Sequence, residues 1–121
     1  MAFQNITFKN TNTETNTEIR EFVAQKMATL EKYVTDVAAV RCEVQFEKVN
    51  TQNSGLTKRV EVNLWVRDIL YRAESIQETF EAAVNIVRDE LDQEMRRAHK
   101  KHHSLMRKGG RKIKEIMRFG E

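Results

Sequence analysis

Apolar residues recur at two different periods along this chain, and each change of period marks a new element. From Val40 to Phe46 every second residue is apolar and the residues between are polar, as in a strand with one buried face. The same alternation returns from Val60 to Val66, after a loop-forming segment rich in Asn, Ser and Gly. Two shorter apolar segments complete the set, so the sequence predicts strands over residues 3–8, 40–46, 60–66 and 69–75.

The first segment with helical period follows a Thr/Asn-rich stretch. Thr15 and Glu18 have the spacing of a capping box, in which each side chain bonds a backbone N–H at the start of a helix. The periodic pattern then predicts a helix to about Val34. Its apolar stripe contains Ile19, Phe22, Val23, Met27, Leu30, Tyr33 and Val34.

The second helical segment begins near Gln77 and is much longer. Its apolar stripe contains Phe80, Val84, Val87, Leu91, Met95 and Ala98. Good helix formers continue to about Lys108, where Gly109 and Gly110 should end the helix. Thirty helical residues would span about 45 Å, against ~20 Å for a typical strand, so we expect the end of this helix to project beyond the sheet.

Taken together, the elements follow the order β-α-β-β-β-α. Two amphipathic helices can cover one apolar sheet face, which predicts an α+β fold with a four-stranded, mainly antiparallel sheet and both helices on one side. A chain of 121 residues suits one core. We therefore predict one domain over residues 1–108 and a basic C-terminal tail over 109–121.

Charge is distributed unevenly along the chain. Residues 96–121 contain ten Lys or Arg and two acidic residues, so this segment carries +8 and residues 1–95 carry −5. Such a split favours a polyanionic partner, with nucleic acid ahead of an anionic membrane surface, because neutralised phosphates release counterions. The alternative is a solvated helix end without a partner.

The cations at the end of the second helix form a pattern. One ridge follows 4, 3, 4 spacing and therefore shares a helix face; it contains Arg96, Lys100, His103 and Arg107. Arg97, Lys101 and Lys108 flank it. A ridge of this kind can follow a phosphate backbone. Aromatic residues are not interleaved with the cations, so structured RNA, recognised through shape and phosphates, is favoured over stacked single strands.

Other candidate sites are weaker. His99 and His102 have a spacing that could hold a metal, but nearby cations and the lack of further ligands favour solvated or RNA-facing histidines, and we expect no metal or other cofactor. Cys42, the only cysteine, falls on the apolar face of a strand and is interpreted as a buried hydrophobe. Trp65 falls on the polar face, where it either covers the open sheet or stacks on a base or partner; the first interpretation is favoured.

No sequence feature indicates an enzyme or an exported protein. The chain has neither a Gly-rich phosphate loop nor a nucleophile elbow, so no catalytic residue is predicted. It has no apolar run long enough to cross a membrane, and its first residues do not resemble a signal peptide. With a single cysteine, these observations predict a cytoplasmic protein, and nothing in the sequence requires more than a monomer.

Several segments, taken in order, resemble the ribosome hibernation-promoting factors, also called ribosome-associated inhibitor A or sigma-factor modulation proteins. The resemblance covers about residues 3–105. The matching segments are Asn5-Ile6-Thr7, 18–23 with Lys26 and 30–33, Glu43 to Val49, 70–74, and 80–85 with Asp89, Leu91 and the Arg96-Arg97 pair. Phe80 and Asn85 depart from the usual family residues, and Glu90 stands where lysine is common.

The resemblance implies a β-α-β-β-β-α fold similar to a double-stranded-RNA-binding domain. It also implies a stress-response protein that binds the small ribosomal subunit, in the channel used by messenger and transfer RNA. Such proteins inhibit translation and protect idle ribosomes. Family positions that contact ribosomal RNA are matched here by Arg20, Lys26, Lys32, Arg88, Arg96, Arg97, Lys100 and Lys101.

The segment after the second helix sets this chain apart within the resemblance. It is too short for the C-terminal dimerisation domain of long family members, so the chain resembles a short form. Its basic residues lead us to expect that Arg111 to Phe119 adds ribosome contacts. Two other functions stay open: a general structured-RNA-binding protein, and an adaptor whose tail binds a membrane surface or a protein through Ile113, Ile116, Met117 and Phe119.

Overall fold

The computed structural model describes residues 5–50 and 55–107, and the side chains of the last helix as far as Lys101. The predicted order of elements is confirmed. The elements are β1 (Asn5–Thr11), α1 (Thr17–Ala28), two short 3₁₀ turns (Glu31–Tyr33 and Val37–Ala39), β2 (Val40–Lys48), β3 (Lys58–Val66), β4 (Ile69–Gln77) and α2 (Phe80–Arg107).

The four strands form one sheet in the order β1-β2-β3-β4. β2, β3 and β4 are joined as antiparallel neighbours, whereas β1 pairs with β2 in parallel. A parallel pair needs a crossover connection, and α1 with the two 3₁₀ turns supplies it. The sheet is therefore mixed but mainly antiparallel, as predicted.

The core lies between one sheet face and the two helices. Phe46 is fully buried at its centre, between the stacked ring of Phe8 at 6.1 Å and the edge-on ring of Phe80 at 5.2 Å. The alternation in β2 and β3 puts every second side chain into this layer, as the sequence predicts. Both helix stripes meet it; their buried members are Ile19, Val23, Met27, Leu30, Ala83, Val84, Val87, Leu91 and Met95.

The predicted boundaries of α1 are wrong at both ends. Asn16, not Thr15, caps the helix, because its side-chain oxygen accepts the backbone N–H of Ile19 at 3.0 Å. At the other end, the hydroxyl of Thr29 donates to the carbonyl of Lys26 at 2.6 Å, where the α-helix gives way to a 3₁₀ turn. Val34 is already extended, yet it still packs against the core.

The start of α2 also differs from the prediction. The hydroxyl of Thr79 accepts the backbone N–H of Ala82 at 3.1 Å, so the helix begins at Phe80 rather than near Gln77. β4 extends to Gln77, and Glu78 and Thr79 form a bend before the helix. Its ambiguous register is resolved with Ala73 and Ser75 buried against the helices.

Candidate nucleic-acid interface

The outer side of α2 carries the first group of predicted RNA-binding residues. Arg96, Arg97 and Lys100 are exposed and line a shallow depression with Gln93, and Lys101 is exposed one turn beyond Arg97. They share this side because residues three and four apart are neighbours on a helix. The backbone of α2 continues through His103 and Arg107, but their side chains lie outside the described part, as do Lys108 and the predicted tail 109–121.

A second group meets where the end of α1 packs on α2, around the carboxylate of Asp92. Oδ1 of Asp92 accepts the hydroxyl of Tyr33 at 2.8 Å and lies 4.0 Å from Nζ of Lys32. Oδ2 accepts Nη2 of Arg96 at 3.0 Å. The side chains of Lys32 and Arg96 are 61% and 52% exposed, whereas that of Asp92 is only 12% exposed. The acid therefore lies beneath cations that reach solvent; we call these residues, with Arg88, the Asp92 cluster.

Hydrogen bonding and charge set the ionisation of this cluster. The hydrogen bond from Tyr33, helped by the charges of Arg88, Arg96 and Lys32, holds the pKa of Asp92 below its usual value despite burial. Burial and the neighbouring Asp92 raise the pKa of the Tyr33 phenol. At neutral pH the cluster therefore contains an ionised carboxylate and a protonated tyrosine.

Arg88 has a more internal position than the other predicted residues. Its Nε donates to the hydroxyl of Thr29 at 2.8 Å and its Nη1 to Asp89 at 3.1 Å. Nη2 lies 3.8 Å from Oδ1 of Asp92, and the side chain is 24% exposed. These contacts connect the end of α1 to α2, so much of the guanidinium is occupied within the protein.

The three predicted residues from the first half of the chain do not all lie together. Lys32 joins the Asp92 cluster and also lies over the ring of Tyr33, 5.2 Å from its centroid. Lys26 lies over the ring of Phe22 on α1 itself. Arg20 lies over the ring of Phe8 and is therefore on the β1 side of α1. The family resemblance matched all three residues to RNA-contacting positions, and the structure brings only Lys32 to the Asp92 cluster.

Asp92 and Tyr33 were missed as site residues. Tyr33 was assigned to the core stripe of the first helix, and Asp92 was not singled out. A signal did exist, because Arg88, Asp92 and Arg96 follow i, i+4 spacing, at which a carboxylate can pair with both arginines.

The opposite, open face of the sheet carries a different arrangement of charge. Arg59 forms ion pairs with Glu47, Glu61 and Glu74, and Arg72 pairs with Glu61 at 3.1 Å. Burial favours a raised pKa for Glu61, but hydrogen bonds from Arg59, Asn63 and Arg72 outweigh it and lower that pKa. The central cations of this face are therefore paired with carboxylates of the same and of neighbouring strands.

Trp65 lies on this open face, as its position in the alternation predicts. The guanidinium of Arg41 stacks over its ring, 4.2 Å from the centroid, and the indole is half-buried. Cys42, next to Arg41 in sequence, points the other way into the core. Burial, with a smaller effect of Glu43, raises the pKa of its thiol to about 12, so the thiol stays protonated at neutral pH.

Metal-binding clusters and membrane-spanning helices are both absent from the described residues. Among the described side chains, no group of three His, Cys, Asp or Glu residues is placed to hold a metal ion; His102 and His103 lie outside that set. Within residues 5–50 and 55–107, no helix combines the length and apolar character needed to cross a bilayer.

Comparisons with known proteins agree with this architecture. The chain is similar to the N-terminal domain of Protein Y from Thermus thermophilus, with 24% identity, a TM-score of 0.63, and coverage of 78% of this chain and 98% of that one. It is also similar to a ribosomal subunit interface protein from Coxiella burnetii, with 14% identity, a TM-score of 0.62, and coverage of 78% and 97%. The model of the family described as sigma 54 modulation protein / S30EA ribosomal protein matches residues 4–103. This chain belongs to that family.

Proposed function

We propose that this protein binds the small ribosomal subunit in the channel used by messenger and transfer RNA, inhibits translation there and protects idle ribosomes. Membership of the S30EA family and likeness to a ribosomal subunit interface protein support a ribosomal partner. One observation carries the mode of binding. The exposed cations Arg96, Arg97, Lys100 and Lys101 form a continuous surface on α2, beside the Asp92 cluster.

Such a surface suits structured RNA. In an RNA duplex the major groove is too deep and narrow for side chains to read, so proteins recognise such RNA mostly through its shape, 2′-hydroxyls and phosphates. A rigid helix with cations at 3 and 4 spacing presents charges about one helical turn apart, roughly 5.4 Å, which places them along a backbone rather than at a point. Each phosphate neutralised releases counterions, so affinity should fall steeply with salt.

In this role the protein is a cytoplasmic stress-response factor that binds ribosomal RNA as a monomer, without catalysis or a cofactor. Binding alone suffices for inhibition, because occupying the channel excludes messenger and transfer RNA. The cations of α2 make the main contacts, with Lys32 beside them and Arg20 and Lys26 on α1 as secondary contacts.

Sedimentation with ribosomes tests the proposal. Purified protein and a variant with Arg96, Arg97, Lys100 and Lys101 changed to Ala are mixed with ribosomes and run through a sucrose gradient at physiological salt. We expect the wild type to travel with small subunits or whole ribosomes and the variant to stay at the top. A wild type that stays at the top would refute ribosome binding, and a variant that travels normally would refute the role of α2.

The predicted tail is a separate part of the proposal. We infer that residues 109–121 add contacts to RNA or ribosomal protein, because they carry four Lys or Arg interspersed with apolar residues. A variant that ends at Lys108 should bind ribosomes more weakly than the full chain. Unchanged affinity would remove the tail from the binding surface and leave the domain as the whole site.

A further inference from the structure

The Asp92 cluster contains an acid in a surface whose partner is a polyanion. Asp92 is 8% exposed, the only charged residue among the described ones that is buried to this degree. A carboxylate here lowers the attraction of the surface for any phosphate, because the Coulomb interaction with it is repulsive. If net charge alone decided binding, an uncharged residue at this position would serve better.

We propose that Asp92 is a positioning residue that sets the spacing of the cations around it, and so makes the α2 surface selective for ribosomal RNA over arbitrary duplexes. This inference rests on the function proposed above and adds to it the origin of selectivity. The Asp92 carboxylate lowers the general attraction of the surface for phosphate, but it holds the surrounding cations in a fixed geometry. Selectivity of this kind is a difference between two affinities, not a gain in each.

Tyr33 and Arg96 define the orientation of the carboxylate. The phenol bonds Oδ1 from the turn after α1, and the guanidinium bonds Oδ2 from the next turn of α2. Because the two bonds come from different elements and use different oxygens, the carboxylate cannot rotate without breaking one of them. Asp92 therefore fixes the 3₁₀ turn after α1 relative to α2 at the point where their cations meet.

Arg96 and Lys32 show how a cation can serve both the acid and an RNA. Arg96 uses one Nη2 contact for Asp92, and with half of its side chain exposed, the remaining guanidinium donors are available to a phosphate. Lys32 is even more exposed and lies 4.0 Å from the carboxylate. Arg88, which also bonds Thr29, supports the cluster from inside.

The test compares Asp92→Asn with a matched control, Glu90→Gln. Both changes remove one negative charge from α2, but Glu90 is exposed and forms no ion pair among the described residues. Affinity is measured for small ribosomal subunits and for an arbitrary RNA duplex of about 20 base pairs, close to the span that one double-stranded-RNA-binding domain covers, at one salt concentration. For Asp92→Asn we expect ribosome affinity to fall about tenfold, as when a charged hydrogen-bond network loses its anchor, while duplex affinity stays equal or rises. Glu90→Gln should leave both affinities equal or slightly higher.

A second variant, Tyr33→Phe, removes the hydrogen bond without changing charge. We expect a smaller loss of ribosome affinity and no change for the duplex. Urea unfolding measures the stability of each variant, and binding is measured only under conditions in which the variant is fully folded. An equal loss for ribosome and duplex would mean that Asp92 is merely structural, and it would overturn the proposal.

The outcomes also separate this proposal from the one on which it rests. A wild type without ribosome affinity refutes the proposed function and the selectivity with it. A wild type that binds ribosomes, together with an Asp92→Asn variant that behaves like Glu90→Gln, refutes only the role of Asp92.

Discussion

The surface of α2 and the open face of the sheet both carry arginines, but they differ in whether those cations form ion pairs within the protein. On the sheet, Arg59 forms ion pairs with three glutamates, Glu61 on its own strand and Glu47 and Glu74 on the two neighbouring strands. On α2, Arg97, Lys100 and Lys101 are exposed and form no ion pair within the described part of the chain. The two faces differ in whether their cations already have carboxylate partners, and this feature, rather than the number of cations, makes α2 the candidate polyanion site.

Geometry explains why the two faces differ. Cross-strand neighbours lie close enough to pair directly, so Arg59 of β3 reaches Glu47 on β2 and Glu74 on β4. On the outer side of a helix, away from other elements, a side chain has neighbours only three and four residues away along the same helix. Glu94 stands three residues before Arg97 but forms no ion pair with it among the described residues, and Lys100 and Lys101 have no acid at those positions. The sheet face is thus an internal salt-bridge network, and the α2 surface has charge available for a partner.

The largest expected effect is the difference in ribosome affinity between two variants, one that loses three cations from α2 and one that loses three cations from the sheet face. Changing Arg97, Lys100 and Lys101 to Ala should lower ribosome affinity about 100-fold and reduce the slope of log affinity against log salt by about 3, one for each phosphate that the variant no longer neutralises. The matched sheet variant changes Lys9, Arg41 and Arg72 to Ala and should weaken binding less than about threefold, since only long-range charge is removed. Titrations of both at several salt concentrations test this.

Equal losses of ribosome affinity in the two triple variants would contradict the proposed difference between the two faces. They would mean that overall charge, rather than its location on α2, determines ribosome affinity. Circular dichroism and urea unfolding of both variants establish that the proteins compared are folded.

The next effect should appear in stability rather than binding. Arg59→Ala leaves the carboxylate of Glu61, whose side chain is only 13% exposed, with Arg72 as its remaining cation. We expect the free energy of unfolding to fall by about 2 kcal/mol, because an incompletely paired charge stays in a poorly solvated site. Ribosome affinity at a temperature where the variant is folded should not change. A variant with wild-type stability would show that the ion pairs of Arg59 do not stabilise the fold.

These differences separate what the sequence can predict from what it cannot. Period-2 and helical patterns determine which residues reach the core, so the element order, the face of Trp65 and the burial of Cys42 could all be predicted. The ends of α1 depended on competition between single hydroxyl and amide groups, at Thr29 and Asn16, which patterns do not resolve.

The candidate site divides in the same way. Cations on α2 could be grouped, because helical spacing is local. The hydrogen bond between Tyr33 and Asp92 joins residues 59 positions apart, and no local pattern contains it. Arg20 and Lys32 were both matched to RNA-contacting positions by the family resemblance, which does not fix where they lie in the fold: Arg20 lies over Phe8 of β1, whereas Lys32 lies beside Asp92 of α2.

A smaller effect concerns pH. The pKa of Glu61 is lower in the folded protein than the usual value of about 4.3, so its ionised form favours folding. This contribution is complete above that value and is lost as pH falls through the lower folded pKa. We therefore expect wild type to exceed Glu61→Gln in stability at pH 7 by about 1 kcal/mol, and the gap to close in acid. Urea unfolding of both from pH 7 to pH 3 measures it; a constant gap would contradict the assignment.

The smallest effect sharpens the comparison most directly, because the sole tryptophan, Trp65, reports on the sheet face alone. If RNA binds the α2 surface, selective excitation of the indole should give the same emission maximum and intensity with and without a duplex RNA, after correction for absorbed light. Trp65→Ala should lower stability by about 1 kcal/mol, through loss of the stack with Arg41 and the indole's own burial, and leave duplex affinity unchanged. Strong quenching by RNA would instead mean that a base displaces Arg41 and stacks on the indole, as single strands do on aromatic platforms. In that case the sheet face would bind a base beside its ion-paired arginines. The presence of ion pairs within the protein would then no longer distinguish a face that binds RNA from one that does not.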